Sequence, residues 1–205
     1  MEDLCAGLEG VVPYFDDVLI RAETSAQLAE RLRNFLARLR KAGLRAKKEK
    51  CLFGVLEVEF FGFRVDKTEI HPSKGKVEAI RAAPKPENKQ QLQAFLGLVN
   101  FYHSFLPNKA SIAEPLHRLL HNDAQWNWSS DHTKAFNSLK QLISSGSVLT
   151  PFDDSLPIVL TCDASPYDVG AVLVHVLPDG RQAPVAFHSR TPTSTERNYA
   201  QLDIG

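Results

Sequence analysis

The residues with the clearest chemical potential are Asp16 and Asp17, placed between the apolar runs Val11-Val12-Pro13-Tyr14-Phe15 and Val18-Leu19-Ile20. Two adjacent carboxylates in a tight turn hold hard cations such as Mg²⁺ through oxygen. Ions held in this way bridge phosphates and stabilise in-line phosphoryl or nucleotidyl transfer. The same pair also suits a turn in which Asp bonds its own backbone. Rigid strands on both sides would favour the metal reading, because they fix the carboxylates in place. Asp163 is a second candidate. It ends an apolar run and precedes Ala164-Ser165, where a carboxylate either binds a metal or caps a turn. The third is Phe60-Phe61-Gly62-Phe63-Arg64. Glycine inside a strand admits a close backbone, that of a nucleic acid included, or it marks a bulge.

The elements that must position these groups follow from pattern. Val11–Ile20 reads as a β-hairpin with carboxylates at its tip. Pro13 cannot donate to a ladder and is expected at an edge or gap. Thr24-Ser25-Ala26-Gln27 offers a capping box for a helix running to about Ala42, with Leu28, Leu32, Phe35, Leu36 and Leu39 on one stripe. Gly43 is its stop. Residues 51–70 turn strand-like through Val55, Val58, Phe60, Phe61, Phe63 and Val65, with a turn at Asp66–Glu69. Four helices are expected next: Lys74–Ala83; Asn88 to near Pro107; Ile112–His121; and Asp131–Ser144. Pro157–Asp163, Gly170–Val176 and Gln182–Phe187 read as a three-stranded antiparallel meander, and Thr195–Leu202 begins a further helix.

Hydrophobic residues make up 43% and charged residues 23% of the 205 positions, which excludes wholesale disorder, a collagen-like chain and a coiled-coil rod. No apolar run is long enough for a transmembrane helix, so no membrane partner is expected. Cys5, Cys51 and Cys162 are far apart and out of metal-ligand spacing, so they read as reduced thiols in an intracellular protein. The balance of 24 basic and 24 acidic residues hides a gradient: residues 1–20 hold five acids and no base, and residues 21–50 hold ten bases and three acids. A basic stretch beside an acidic tip suits a polyanion plus a divalent metal, or simply solvates one helix face.

Together these segments resemble a known family. Tyr14-Phe15-Asp16-Asp17 resembles the Y-x-D-D box of reverse transcriptases, and further motifs in order resemble the pol polyprotein of gypsy-type LTR retrotransposons. Leu39-Arg40-Lys41-Ala42-Gly43-Leu44 with Lys50-Cys51-Leu52-Phe53 resembles the palm helix and following strand. Val58–Phe63 resembles the primer grip. Phe95-Leu96-Gly97-Leu98-Val99-Asn100-Phe101-Tyr102 through Phe105-Leu106-Pro107-Asn108 resembles the thumb signature. Thr161-Cys162-Asp163-Ala164-Ser165, Gly170-Ala171-Val172-Leu173 and Glu196-Arg197-Asn198-Tyr199 resemble the start of a tethered RNase H domain.

The resemblance implies an α+β chain: a partial reverse-transcriptase palm (1–70), a helical thumb (71–125), and a connection with an incomplete RNase H-like mixed sheet (126–205). It implies Asp16 and Asp17 as polymerase metal ligands, Tyr14 and Phe15 near the primer end, Phe61, Gly62 and Phe63 positioning the primer, and Asp163 as the first RNase H carboxylate. Mg²⁺ would be the cofactor, and an RNA–DNA or DNA duplex the partner, with other pol products as further partners. Departures carry weight too. The family's polymerase chemistry needs a third Asp on an earlier strand, and its RNase H needs later carboxylates. Both are expected to be missing, as are the fingers. His103-Ser104 stands where the family often has basic residues. Three readings follow: an RNA-directed DNA polymerase with ribonuclease H, a non-catalytic nucleic-acid-binding remnant, or an unproductive reading frame. The chain alone is expected to be inactive.

Overall fold

The computed structural model describes residues 1–146, 148–164, 168–193 and 196. It divides into two units, Met1–Phe61 and Gly62–Gly205. Helices and small sheets share the chain, as expected of an α+β protein.

In the first unit a short helix, α1 (Glu2–Cys5), leads into β1 (Val11–Tyr14) and β2 (Asp17–Ile20), which pair antiparallel from Val11↔Ile20 to Tyr14↔Asp17. Helix α2 (Ser25–Lys41) begins at the expected capping box: the Thr24 hydroxyl accepts from the Gln27 N–H and the Gln27 side chain accepts from the Thr24 N–H, each at 3.3 Å. It ends as Gly43 turns left-handed (φ 70°) and the Leu44 N–H returns to the Leu39 carbonyl at 2.9 Å. Phe35 and Leu39 bury against Cys5 and Val11, with Leu4, Leu8, Val18 and Ile20 around them. Leu36, expected on the same stripe, is exposed. The unit closes on β3 (Val58–Phe60).

The second unit opens with β4 (Phe63–Val65) and β5 (Ile70–Pro72), paired antiparallel around the Asp66–Glu69 turn. Helices α3 (Lys74–Ala82), α4 (Lys89–Phe101), α5 (Lys109–Leu119) and α6 (Ser130–Ser144) follow. Asn88 caps α4 by accepting from the Gln91 N–H at 2.9 Å, and Ser129 caps α6. Their apolar stripes make one core in which Leu92, Leu106, Leu116 and Leu139 are fully buried. Burial on this scale is the main force holding the unit, at roughly 25 cal/mol per Å² of apolar surface.

The meander is β6 (Ile158–Ala164), β7 (Val169–Val176) and β8 (Gln182–Arg190), in that order and antiparallel. It is tied to α5 at two points. The Ala110 N–H donates to the Ser189 hydroxyl at 2.9 Å, and the Ser111 hydroxyl donates to the buried Asp168 carboxylate at 3.0 Å. On β7, fully buried His175 accepts the Asp153 N–H through Nε2 at 3.0 Å.

Three expected boundaries move. Residues 51–57 form no strand, and Leu52, Phe53, Val55 and Leu56 are exposed. Apolar residues alone do not make a strand; a hydrogen-bonded neighbour is also needed. Helix α4 stops at Phe101 rather than near Pro107, and a 3₁₀ turn follows at His103–Phe105. Helix α5 starts at Lys109 rather than Ile112, after Asn108 in a left-handed conformation (φ 52°), and it contains Pro115. The helix expected over Thr195–Leu202 lies outside the described residues except for Glu196.

Candidate functional site

The carboxylates of Asp16 and Asp17 are exposed at the β1–β2 turn. Phe15, the residue before them, has a positive φ of 48° and is 79% exposed. An aromatic residue rarely takes this conformation, which the flanking two-strand ladder holds in place. Tyr14 anchors the hairpin. Its ring lies 3.7 Å from the Phe61 ring, 6.3 Å from Phe60 and 4.8 Å edge-on from Phe15, centroid to centroid. Three of the residues singled out from sequence, Tyr14, Phe15 and Phe61, therefore meet in one aromatic cluster beside the carboxylates.

Gly62 and Phe63 belong to the second unit. Phe63 stacks on Phe101 at 5.3 Å and on Phe105 at 5.7 Å, and it meets the edge of Tyr102. The Tyr102 hydroxyl donates to the Gly62 carbonyl at 2.7 Å. Gly62 takes φ 76°, and a Cβ there would lie 3.1 Å from the Phe101 ring. The left-handed backbone favours glycine, and the Phe101 ring would have to shift by a few tenths of an ångström to admit a methyl. Gly62→Ala is expected to lower stability by about 1–2 kcal/mol from the backbone alone. A lower urea midpoint checks this; an unchanged one contradicts it.

Asp163 lies on β6 opposite Gly170, on a strand whose residues are exposed up to Ala164. It is the only one of the three sequence-identified carboxylates in the second unit. Glu196, in the Glu196-Arg197-Asn198-Tyr199 segment, is engaged by the fold. Arg190 donates to it through two nitrogens at 2.7 and 2.8 Å, and the Thr193 N–H adds a third bond at 2.7 Å. The Arg190 hydrogen bonds, then those from Thr193, hold its carboxyl down to about 2.

The basic stretch divides by role. Arg31 pairs with Glu9 and donates to the Arg21 carbonyl at 2.6 Å, and Arg38 donates to the Leu4 and Ala6 carbonyls at 3.2 and 2.6 Å. These two side chains help hold α1 and the β1–β2 hairpin to α2. Arg33, Arg40, Lys41, Arg45, Lys47, Lys48 and Lys50 are exposed.

Sequence reasoning missed a cleft of about 300 Å³ between α4 and α5, lined by Gln93, Gly97, Asn100, Lys109 and His117 among apolar neighbours. Lys109 donates to the Asn100 amide oxygen at 2.6 Å. Desolvation pushes the Lys109 ammonium below its ordinary value, and desolvation together with the Lys109 charge does the same for His117. Only the helical spacing of Lys109 and His117, two turns apart, hinted at this pairing.

Residues 128–204 match the RNase H-like domain found in reverse transcriptase. The Transposon Tf2-3 polyprotein of Schizosaccharomyces pombe is 32% identical over 193 residues, which is 94% of this chain and 14% of that protein; the Tf2-7 polyprotein matches to the same extent. Foamy viral protease-reverse transcriptase superposes with a TM-score of 0.87 in its dRH form with double-stranded DNA, at 27% identity, covering 99% of this chain and 36% of that one. In complex with an RNA/DNA hybrid the TM-score is 0.84, at 27% identity, covering 98% and 27%. No helix among the described residues is long and apolar enough to cross a membrane. The chain spans about one-seventh of the length of the curated relatives it matches, and it is similar along nearly all its length to retrotransposon polyproteins and to foamy viral protease-reverse transcriptase, its C-terminal part matching the RNase H-like domain found in reverse transcriptase.

Proposed function

We propose that the chain is the palm, thumb and early RNase H portion of a gypsy-type retrotransposon reverse transcriptase, and that its task is to engage a template–primer duplex. The parent activity is DNA synthesis on an RNA template with hydrolysis of the RNA–DNA hybrid. The observation that carries this reading is the Tyr14-Phe15-Asp16-Asp17 turn. There two hard oxygen donors stand exposed on a hairpin buttressed by Phe60 and Phe61. That donor set fits Mg²⁺, which prefers carboxylate oxygen and keeps several waters until phosphates replace them. In this reading Asp16 and Asp17 hold the ion, Phe15 lies near the primer end, and Phe61, Gly62 and Phe63 position the primer. Asp163 is the first RNase H carboxylate. When bound, the metal supplies charge neutralisation at the reacting phosphate.

Asp16 and Asp17 are the carboxylates assigned to one site, and Asp163 is the one assigned to the other. A hard cation held by so few protein ligands binds weakly without substrate phosphates. The purified chain is therefore expected to show no primer extension and no hybrid cleavage by itself, and to need other pol products for turnover. The test supplies Mg²⁺, a primed RNA template and deoxynucleotides, with Asp16→Asn as control. Extension that disappears in the variant would contradict the inactivity and leave the assignment of Asp16 standing.

A second reading, a non-catalytic nucleic-acid-binding protein, draws on the exposed basic run from Arg40 to Lys50. Such a run gives salt-sensitive, sequence-independent affinity for phosphate backbones. The two readings share duplex binding and differ only in catalysis.

A further inference from the structure

We infer that Asp66, Glu69 and His71, at the β4–β5 turn, form a binding site for a transition-metal dication of the Zn²⁺ type, separate from any Mg²⁺ at Asp16 and Asp17. The site does not depend on the proposed function. Its three ligand atoms lie within 4.8 Å of one another. His71 Nε2 is 3.0 Å from Glu69 Oε2 and 3.9 Å from Asp66 Oδ2. Zn²⁺ bonds to nitrogen and carboxylate oxygen are about 2.0–2.2 Å, which places tetrahedral ligands roughly 3.4 Å apart. Contraction of the widest separation by up to about 1.4 Å closes the set.

His71 lies within ion-pair distance of both carboxylates but can hydrogen-bond only one of them. A single Nε2 proton serves one carboxylate, and 3.9 Å is too long for a hydrogen bond to the other. Two carboxylates converging on one ring nitrogen also repel each other. A dication among them satisfies all three groups. The imidazole nitrogen sets the selectivity: it suits Zn²⁺, Co²⁺ or Ni²⁺, whereas Mg²⁺ and Ca²⁺ prefer oxygen alone.

The ligands are held in place beforehand. Asp66 Oδ1 accepts from the N–H groups of Thr68 and Glu69 at 2.8 and 2.9 Å, which leaves Oδ2 as the oxygen facing His71. His71 sits in the β4–β5 ladder opposite Arg64, and Ile70 beside it exchanges backbone bonds of 2.7 and 3.0 Å with Leu149. The His71 side chain is 16% exposed and that of Glu69 51%, so the site opens to solvent on the Glu69 side, where water completes the coordination.

The experiment uses the full chain, stripped of metal and titrated with Co²⁺ and Zn²⁺, with Co²⁺ visible absorption and calorimetry as readouts. One Co²⁺ per chain in a nitrogen–oxygen environment is expected, displaced by Zn²⁺ and not by a hundredfold excess of Mg²⁺. His71→Ala and Glu69→Gln are each expected to weaken binding at least tenfold. Glu69→Gln changes an exposed side chain, so its metal-free melting should equal that of the unaltered chain and it decides the matter if His71→Ala folds poorly. Absence of a one-to-one complex, a thiolate-to-cobalt band, displacement by Mg²⁺, or unchanged affinity in Glu69→Gln would each overturn the site.

Discussion

Tyr102→Ala is expected to destabilise the second unit by about 3–5 kcal/mol, as deletion of a buried aromatic ring does elsewhere. Tyr102 is 1% exposed, and its ring meets Phe63, Phe101 and Phe105. Its hydroxyl also donates to the Gly62 carbonyl at 2.7 Å, so one side chain joins the end of α4 to the backbone just before β4. Tyr102→Phe separates the two contributions. It keeps the ring, loses one hydrogen bond, and should cost about 1–2 kcal/mol. Urea unfolding of both variants checks this. Equal losses would mean that the ring contributes little, contrary to the packing described. In the proposed function Gly62 and Phe63 position a primer, so the same substitution would also loosen that segment.

The second large effect concerns binding. Reversing Arg40, Lys41, Lys47 and Lys48 to glutamate is expected to weaken affinity for an RNA–DNA duplex about 10- to 100-fold near 0.1 M salt. The salt slope should fall by about one for each phosphate contact removed. These four side chains are exposed, and surface substitutions of this kind usually leave stability within about 0.5 kcal/mol. Arg38 is left out although it shares the charge run. Its guanidinium holds the Leu4 and Ala6 carbonyls, so reversing it would confuse lost binding with a damaged fold. Fluorescence anisotropy with a labelled duplex, alongside thermal melts, separates the two.

Local chemistry was readable from the chain wherever it is self-contained. The Thr24–Gln27 capping box, the Asn88 cap, the Gly43 stop and the period-two runs around Asp16-Asp17 all depend on neighbours within a few residues, and the structure carries them. Elements that depend on distant partners were not readable. Phe53 and Val55 have strand-like character but no strand forms there. The end of α4 is fixed by Tyr102 reaching back 40 positions to Gly62. At the candidate site, the types of Asp16 and Asp17 pointed to metal chemistry, but the contact of Tyr14 with Phe61 joins segments 47 residues apart and leaves no local trace. Charge counting likewise treated ten bases alike, whereas Arg31 and Arg38 serve the fold and their neighbours face solvent. Glu196 shows the converse: a residue that stands out by its motif is held by Arg190 in a bidentate pair.

In the proposed function the exposed basic surface of this chain grips a primed nucleic-acid duplex. The most direct test measures the affinity of the unaltered 205-residue chain for a primed RNA–DNA duplex across a salt series. Measurable binding is expected at low salt, with a logarithmic affinity that falls linearly with the logarithm of salt concentration. Undetectable binding at low salt, or an affinity indifferent to salt, would contradict it.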